Sequence, residues 1–204
     1  MAVRTGAGWP GLTGIPKLPD LIESHRRCLD QGLLESYRKR RWARFHEFSG
    51  WLVQENIPHV DMGQAASLFR ASGGSRPAEF KTNPVEEIRD TLDFLLYDEV
   101  KLEGRFDECA AEGGGFKLAG AGKEFISYIL CLREPGLFGV WNSSAERVLR
   151  REGDLNANTK TGPMGIRYLD ILEGLAKLRR RLGLPDYIAV DEVCYSGTRI
   201  KSDG

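Results

Sequence analysis

The sequence predicts an all-α fold, a bundle of about seven to nine helices, because its apolar residues recur at helical spacing. Apolar side chains return every three or four positions through most of the 204 residues, and strictly alternating segments are scarce. Clusters of Gly, Pro, Asn and Ser separate the periodic segments and mark the turns between helices. We expect one helical domain over residues 17–204, preceded at residues 1–16 by a flexible arm rich in Gly and Pro.

The first helical region covers residues 18–55 and is interrupted at Gly32. The residues at helical spacing along its second half are Leu34, Tyr37, Arg41, Phe45, Phe48 and Leu52. The densest positive charge of the chain lies on the same segment and comprises Arg38, Lys39, Arg40, Arg41 and Arg44. A solvated helix face and a patch that follows phosphate groups both explain this charge.

The middle of the chain predicts three further helices. A short helix covers residues 61–72, and the Gly-, Ser- and Pro-containing segment 72–83 forms a loop. Asn83 is expected to cap the next helix, with Pro84 in its first turn. Another helix covers about residues 101–111 and is ended by the glycines at 113–115.

The C-terminal part predicts one long helix and one extended segment. A polar, mobile loop at residues 153–163 precedes a helix over residues 164–182, which Gly183 ends. Residues 187–195, YIAVDEVCY, alternate enough to indicate a short strand or a packed extended end.

The overall charge argues against a protein that coats nucleic acid nonspecifically. The chain holds 29 basic and 29 acidic side chains, which gives a formal net charge of zero. A general nucleic-acid coat protein is strongly basic, so any contact with DNA has to come from local clusters of charge.

The cysteines and the hydropathy pattern indicate a reduced, non-membrane environment. Cys28, Cys109, Cys131 and Cys194 lie far apart and form no C-x-x-C pair, which favours buried thiols over disulfides or a zinc site. We expect no metal site and no cofactor. No apolar run approaches the roughly 20 residues that cross a membrane, and the N-terminus lacks the apolar stretch of a signal peptide. A cytoplasmic protein is therefore expected.

The most informative segment is residues 118–151, LAGAGKEFISYILCLREPGLFGVWNSSAERVLRR. It opens with an L-x-G-x-G motif, continues as an apolar helix, passes a Pro-Gly turn and ends in a helix that carries arginines. Gly120 and Gly122 allow a tight turn and close approach of the backbone to a ligand. The helix that follows offers free N-terminal amides and a positive dipole end to an anion.

This order of parts resembles the helix-hairpin-helix DNA glycosylase superfamily, the group of endonuclease III and the adenine glycosylases. Leu118, Gly120 and Gly122 match the family's L-P-G-V-G element, although alanines stand where proline and valine are usual. Arg147, Val148 and Arg151 match the family's second helix in the same register. The resemblance implies a hairpin at about residues 112–135, a glycosylase-like bundle and double-stranded DNA as the partner.

The departures from the family concern its chemistry. Asn142 stands at the position of the catalytic aspartate, and Glu124 stands at the position of the nucleophilic lysine of the bifunctional members. An amide cannot stabilise the positively charged sugar of base excision or accept a proton as a carboxylate does. The iron–sulfur cysteine cluster of some members is absent as well. The resemblance therefore implies a protein without a catalytic residue that binds DNA, at an unusual base or elsewhere, and does not cut it.

The expected DNA-binding residues lie on the hairpin and at the start of the second helix. They are Lys117, Gly120, Ala121, Gly122, Lys123, Asn142, Ser143 and Arg147. The glycines and Ala121 would supply amides to a phosphate, the lysines would add charge, and Ser143 and Arg147 would flank the site of an extruded base.

Two other functions stay open at this point. The chain could be an active glycosylase in base-excision repair that uses a substitute carboxylate, with Asp191 and Glu146 as the candidates. It could instead be a non-enzymatic protein-interaction domain of a repair, defence or regulatory system, which the neutral charge favours. A weaker similarity to helical regions of McrB-type restriction proteins rests on residues 105–107, 120–122, 127–130, 135 and 138–142.

Overall fold

A computed structural model of the protein describes residues 18–155 and 161–199. Within these residues the fold is all-α, as predicted, with eleven α-helices, one 3-10 helix at Gln54–His59 and no strand. The α-helices are α1 (Leu18–Asp30), α2 (Glu35–Arg41), α3 (Phe45–Trp51), α4 (Met62–Ser72), α5 (Pro77–Phe80), α6 (Val85–Tyr97), α7 (Leu102–Ala110), α8 (Lys123–Arg133), α9 (Ser143–Glu152), α10 (Met164–Leu182) and α11 (Tyr187–Ser196). The predicted arm at residues 1–16, and residues 156–160 of the predicted loop, lie outside the described residues.

Several predicted boundaries are confirmed. The break at Gly32 separates α1 from α2, and α10 ends at Leu182, immediately before Gly183. At the start of α4, Asp61 and Gln64 form a capping box, in which each side chain accepts a hydrogen bond from the other residue's backbone N–H. These helices follow the sequence pattern because caps and apolar spacing specify them locally.

The predicted C-terminal strand is wrong, because residues 187–196 form helix α11. Asp186 caps this helix by accepting a hydrogen bond from the backbone N–H of Ala189 at 2.9 Å. Both acidic side chains of this helix, Asp191 and Glu192, are buried. A polar side chain can be buried when its polar atoms are hydrogen-bonded, so a polar residue does not always mark an exposed position.

The predicted loop at residues 72–83 also needs correction, because it contains the short helix α5. Phe80 at its end is fully buried and stacks on Phe69 of α4, with ring centroids 4.2 Å apart. Asn83 does not cap the following helix, whose N-cap is Pro84. The Asn83 side chain instead bonds both backbone groups of Ala119, across 36 residues of sequence.

Helix α8 lies at the centre of the described structure. Every residue from Phe125 to Leu132 is buried, and α3, α4, α6 and α7 pack around the helix. Helix α9 packs on α10 and α11, so the N-termini of α8 and α9 are held by the same core. The four cysteines are buried free thiols, as predicted.

The sequence predicts no membrane-spanning segment, and the hydropathy of the helices agrees with this prediction. Among the helices of residues 18–155 and 161–199, none is both long and apolar enough to cross a membrane.

Candidate anion-binding cavity at two helix N-termini

A polar cavity of about 370 Å³ lies between α2, the N-termini of α8 and α9, and the C-terminal end of α11. We call it the arginine cavity. The residues that line it are Tyr37, Arg40, Arg41, Gly73, Glu124, Asn142, Ser143, Ser144, Arg147, Tyr195, Thr198 and Arg199. Its volume falls within the range of small-molecule sites in proteins.

Helix α9 points its N-terminus at the arginine cavity. Asn142 is its N-cap, and the Asn142 Oδ1 accepts a hydrogen bond from the backbone N–H of Ala145 at 2.8 Å. The backbone N–H groups of Ser143 and Ser144 have no acceptor among the described residues. The cavity therefore has two available amide donors and the positive end of a helix dipole.

Asn142 is fixed from behind by a buried carboxylate. Its Nδ2 donates to Asp191 Oδ1 at 2.7 Å, and Asn142 itself is 6% exposed. The other carboxylate oxygen, Asp191 Oδ2, accepts from the Tyr37 hydroxyl at 2.5 Å and from Trp42 Nε1 at 3.1 Å. These bonds set the orientation of the Asn142 amide and join α2, α9 and α11.

Arg41 is the most buried charged group of the cavity, with 1% of its surface exposed. Its Nη1 donates to the Ser72 carbonyl at 2.8 Å and to Glu124 Oε1 at 3.1 Å, and its Nε lies 3.2 Å from Asp191 Oδ2. Burial lowers the pKa of the Arg41 guanidinium, but the neighbouring carboxylates outweigh burial and raise this pKa above its ordinary value. Arg41 is therefore charged, and its Nη2 has no hydrogen-bond partner among the described residues.

Glu124 is the only carboxylate among the described residues that line the cavity. Burial raises the pKa of its carboxyl above the ordinary value, while the guanidinium of Arg41 acts in the opposite direction. Next to it, the rings of Tyr37 and Tyr195 stack with centroids 3.8 Å apart. The Arg199 guanidinium covers the outer ring, 4.7 Å from the centroid of Tyr195.

Three of the arginines that line the cavity are exposed. Within the described part of the chain, Arg40, Arg147 and Arg199 form no ion pair. Arg147 Nε donates to the carbonyl of Ser143 at 3.2 Å, which holds the guanidinium beside the start of α9. In a chain of zero net charge, this is a local concentration of positive charge.

The hairpin that the sequence predicts as a phosphate clamp is only partly available. Ala121 is fully buried, and its N–H donates to the Leu118 carbonyl at 3.2 Å. Ala121 is thus corrected as a phosphate donor, because its amide would first have to leave this bond. Gly120 and Gly122 are partly exposed, and no described residue accepts from their N–H groups.

Packing against α5 determines the conformation of this hairpin. Gly120 has φ +75°, and a Cβ there would lie 2.9 Å from both the Arg76 carbonyl oxygen and the Phe80 nitrogen. Only glycine fits this position without strain and without displacing α5. Asn83 also bonds Ala119, so neighbouring residues fix the conformation of the loop.

The two expected hairpin lysines are already engaged, which corrects their assignment as free phosphate ligands. The Lys117 ammonium group donates to the Ala121 carbonyl, and burial lowers its pKa from the ordinary value. The Lys123 ammonium group pairs with Glu146 and lies 4.5 Å from the Trp141 ring centroid. A surface phosphate would have to compete with these partners.

The basic cluster at residues 38–44, on α2 and the turn after it, also contains both paired and unpaired side chains. Arg38 pairs with Glu192, Arg44 pairs with Glu47, and Arg41 is buried. Lys39 and Arg40 are exposed and form no ion pair within the described residues. Most of this charge is therefore structural, and only Arg40 of the two free side chains reaches the arginine cavity.

Neither candidate for a substitute carboxylate lines the cavity. Asp191 is bonded behind Asn142, and Glu146 accepts from Lys123 and from Trp141 Nε1. No group of three or more His, Cys, Asp or Glu side chains within residues 18–155 and 161–199 is arranged to hold a metal ion.

Of the predicted site residues, the structure brings Asn142, Ser143 and Arg147 to one cavity, together with Glu124. It leaves Lys117, Lys123 and the hairpin residues 120–122 outside the lining. The sequence reading missed Arg41 as a site residue, although an arginine at an apolar helical position was a signal of a buried charge. It also missed the residues that α11 contributes, because that segment was read as extended.

No protein-family model, no curated protein and no solved structure matches this chain. The function is therefore argued from the geometry and charge of the chain's own residues.

Proposed function

We propose that this chain binds double-stranded DNA without cleaving it, through the arginine cavity and its rim. The observation that carries the proposal is that three arginines, which form no ion pair among the described residues, line one cavity together with the N-terminus of α9. Guanidinium groups and free helix amides are the donors that proteins use for phosphate groups. The resemblance to the helix-hairpin-helix glycosylases supports DNA as the source of those phosphates.

The absence of cleavage follows from the group at the start of α9. Asn142 presents an amide, and this amide is committed to the Ala145 N–H and to Asp191. A neutral amide neither accepts the proton of an attacking water nor offsets the charge of an oxocarbenium-like sugar. Base excision at this position therefore lacks its carboxylate.

The test is the salt dependence of duplex affinity, measured by fluorescence anisotropy with a labelled duplex. Three arginine–phosphate contacts predict a slope of about −3 in a plot of log K against log salt concentration. Arg147→Ala and Arg199→Ala should each reduce the size of this slope by about 1. Arg44→Ala is the matched control, because Arg44 is exposed but pairs with Glu47 away from the cavity.

Equal slopes for all of these proteins would contradict the proposal, since they would place the phosphate contacts elsewhere. If no duplex binds even at low salt, the proposal fails and a protein-interaction domain becomes the better account.

A second candidate function is an active DNA glycosylase that uses Glu124 as its carboxylate. The observation in its favour is that Glu124 lines the cavity and has a raised pKa, as general acids often have. Base release from duplexes that carry damaged bases tests it, with Glu124→Gln as the variant. Release that Glu124→Gln abolishes would support this enzyme, and release that the variant retains would exclude Glu124 from the chemistry.

A further inference from the structure

One lining residue of the arginine cavity has a hydrogen-bond donor for which no described residue supplies an acceptor. This residue is Arg41, whose side chain is 2% exposed and whose Nη2 has no partner among the described residues. A buried guanidinium N–H without an acceptor destabilises a fold unless a ligand supplies one. The Nη2 group of Arg41 thus needs an acceptor, and we expect an anionic one because the guanidinium is charged.

The start of α9 offers further donors to the same space. The N–H groups of Ser143 and Ser144 are open, and the Ser144 hydroxyl lies 3.2 Å from the Thr198 hydroxyl at the cavity wall. Helix α9 has ten residues, long enough for its dipole to favour an anion at this end. Two helices that are far apart in sequence, α2 and α9, therefore both contribute donor-bearing residues to the lining of one cavity.

The charge of the lining residues favours some parts of a nucleotide over others as the bound group. An uncharged base in this cavity would accept no charge-assisted hydrogen bond from the buried Arg41 and would make no ion pair with the three exposed arginines of the lining. A phosphodiester inside a strand carries a single charge and has no free end. A phosphomonoester carries about −1.5 to −2 charge near neutral pH and three strong acceptor oxygens.

We propose that the arginine cavity binds a phosphomonoester group, held between Arg41, Arg147 and the N-terminal amides of α9. An extruded internal nucleotide enters a cavity with its base first, whereas a strand end or a free nucleotide can enter with its phosphate. The ligand is thus a phosphorylated strand end or a mononucleotide. The strand-end source rests on the proposed DNA binding; the phosphate site itself does not.

Among the described lining residues, Glu124 is the one carboxylate that opposes an anion. It lies 3.1 Å from Arg41 Nη1, so its charge is already offset by the group that would hold the phosphate. The exposed arginines of the lining add attraction at longer range and guide an anion inward.

The test uses isothermal titration of the full-length protein with inorganic phosphate, thymidine 5′-monophosphate and thymidine. The first two should bind and thymidine should not. Ser143→Pro removes one amide donor at the first position of α9, where proline is well tolerated, and should weaken phosphate binding about tenfold. Ser143→Ala keeps the amide and removes only the hydroxyl, so it should weaken phosphate binding less than Ser143→Pro does.

An exposed arginine variant adds an independent measurement. Arg147→Ala should also weaken phosphate binding about tenfold, while Arg150→Ala, one turn further along α9 and outside the cavity, should not. Failure of both phosphate and thymidine 5′-monophosphate to bind would overturn the proposal. Equal affinities of Ser143→Pro and Ser143→Ala would overturn it as well.

Duplexes with a 5′-phosphate or a 5′-hydroxyl end identify the source. Tighter binding of the phosphorylated duplex supports a strand end, and equal binding together with a bound mononucleotide supports a free nucleotide. Duplex binding without phosphate binding would refute the phosphate site alone. Phosphate binding without duplex binding would refute the proposed function alone.

Discussion

The hydrogen bond between Asn142 and Asp191 allows a sharp test of how the cavity is built. The Asn142 amide accepts from the Ala145 N–H with its oxygen and donates to Asp191 with its nitrogen, at 2.8 Å and 2.7 Å. Asn142→Asp keeps the helix cap but replaces the donor with an oxygen. Two carboxylate oxygens would then face each other at the 2.7 Å where a hydrogen bond now lies.

The expected cost follows from the loss of one hydrogen bond to a charged acceptor and from the new repulsion. The bond contributes about 1.5–3 kcal/mol, so with the repulsion we expect Asn142→Asp to lower the free energy of unfolding by about 3 kcal/mol. For a chain of this size, that corresponds to a fall in Tm of about 6–12 °C. Asp191→Asn is also expected to destabilise, because its amide nitrogen would face either the Asn142 donor or the Tyr37 and Trp42 donors.

The double variant Asn142→Asp/Asp191→Asn restores the pairing with its polarity reversed. The new Asn can accept from Tyr37 and Trp42 and donate to the new Asp, which still caps α9. Urea unfolding followed by tryptophan fluorescence and by circular dichroism should therefore show a favourable coupling of about 2 kcal/mol. Costs of the single variants that add within about 0.5 kcal/mol would refute the reasoning, since independent sites behave in that way.

Three further predictions test the surroundings of the site. Gly120→Ala should lower the free energy of unfolding by about 1–3 kcal/mol in urea, because of its positive φ and its contact with α5, while Gly122→Ala, where a Cβ meets open space, should change little. Burial raises the pKa of the Glu124 carboxyl above its ordinary 4.5, so the free energy of unfolding should fall as the pH rises from 4.5 through the raised pKa. Glu124→Gln should remove this part of the pH dependence in unfolding measurements from pH 4 to 8. Gly165→Ala should destabilise strongly or prevent folding, as judged by circular dichroism, because a Cβ there would lie 1.8 Å from the Glu103 carbonyl oxygen where α10 crosses α7.

The sequence pattern predicts the elements whose signals are local. Helix α10 carries its own apolar periodicity and is followed by Gly183, and α4 carries its own capping box, so both could be anticipated. Helix α5 could not, because its four residues are held by the packing of Phe80 on Phe69 and not by a local pattern. Helix α11 was not anticipated, because its segment alternates enough to indicate a strand, and the partners on α2 that bury Asp191 and Glu192 lie far away in sequence.

The same contrast between local signals and tertiary contacts applies to the residues of the candidate site. Asn142, Ser143 and Arg147 reach one cavity because they share the first turns of α9, which a sequence motif can reveal. Whether a lysine side chain is available for a ligand depends on its tertiary neighbours. The Lys123 ammonium group is paired with the carboxylate of Glu146, and residue spacing alone did not identify this partner. Arg41 lies on a helix about a hundred residues earlier; its apolar position signals burial, but only the folded chain shows that it lines the same cavity.

Hydrogen exchange in the presence of a duplex tests most directly whether the arginine cavity is the DNA-binding surface. We expect the amides of residues 143–145 at the start of α9 to exchange more slowly when the duplex is bound, since Ser143 and Ser144 gain phosphate acceptors. The α6 segment 86–93, outside the arginine cavity, should exchange at the same rate with and without DNA. Unchanged exchange at α9 in a protein saturated with duplex would contradict the account.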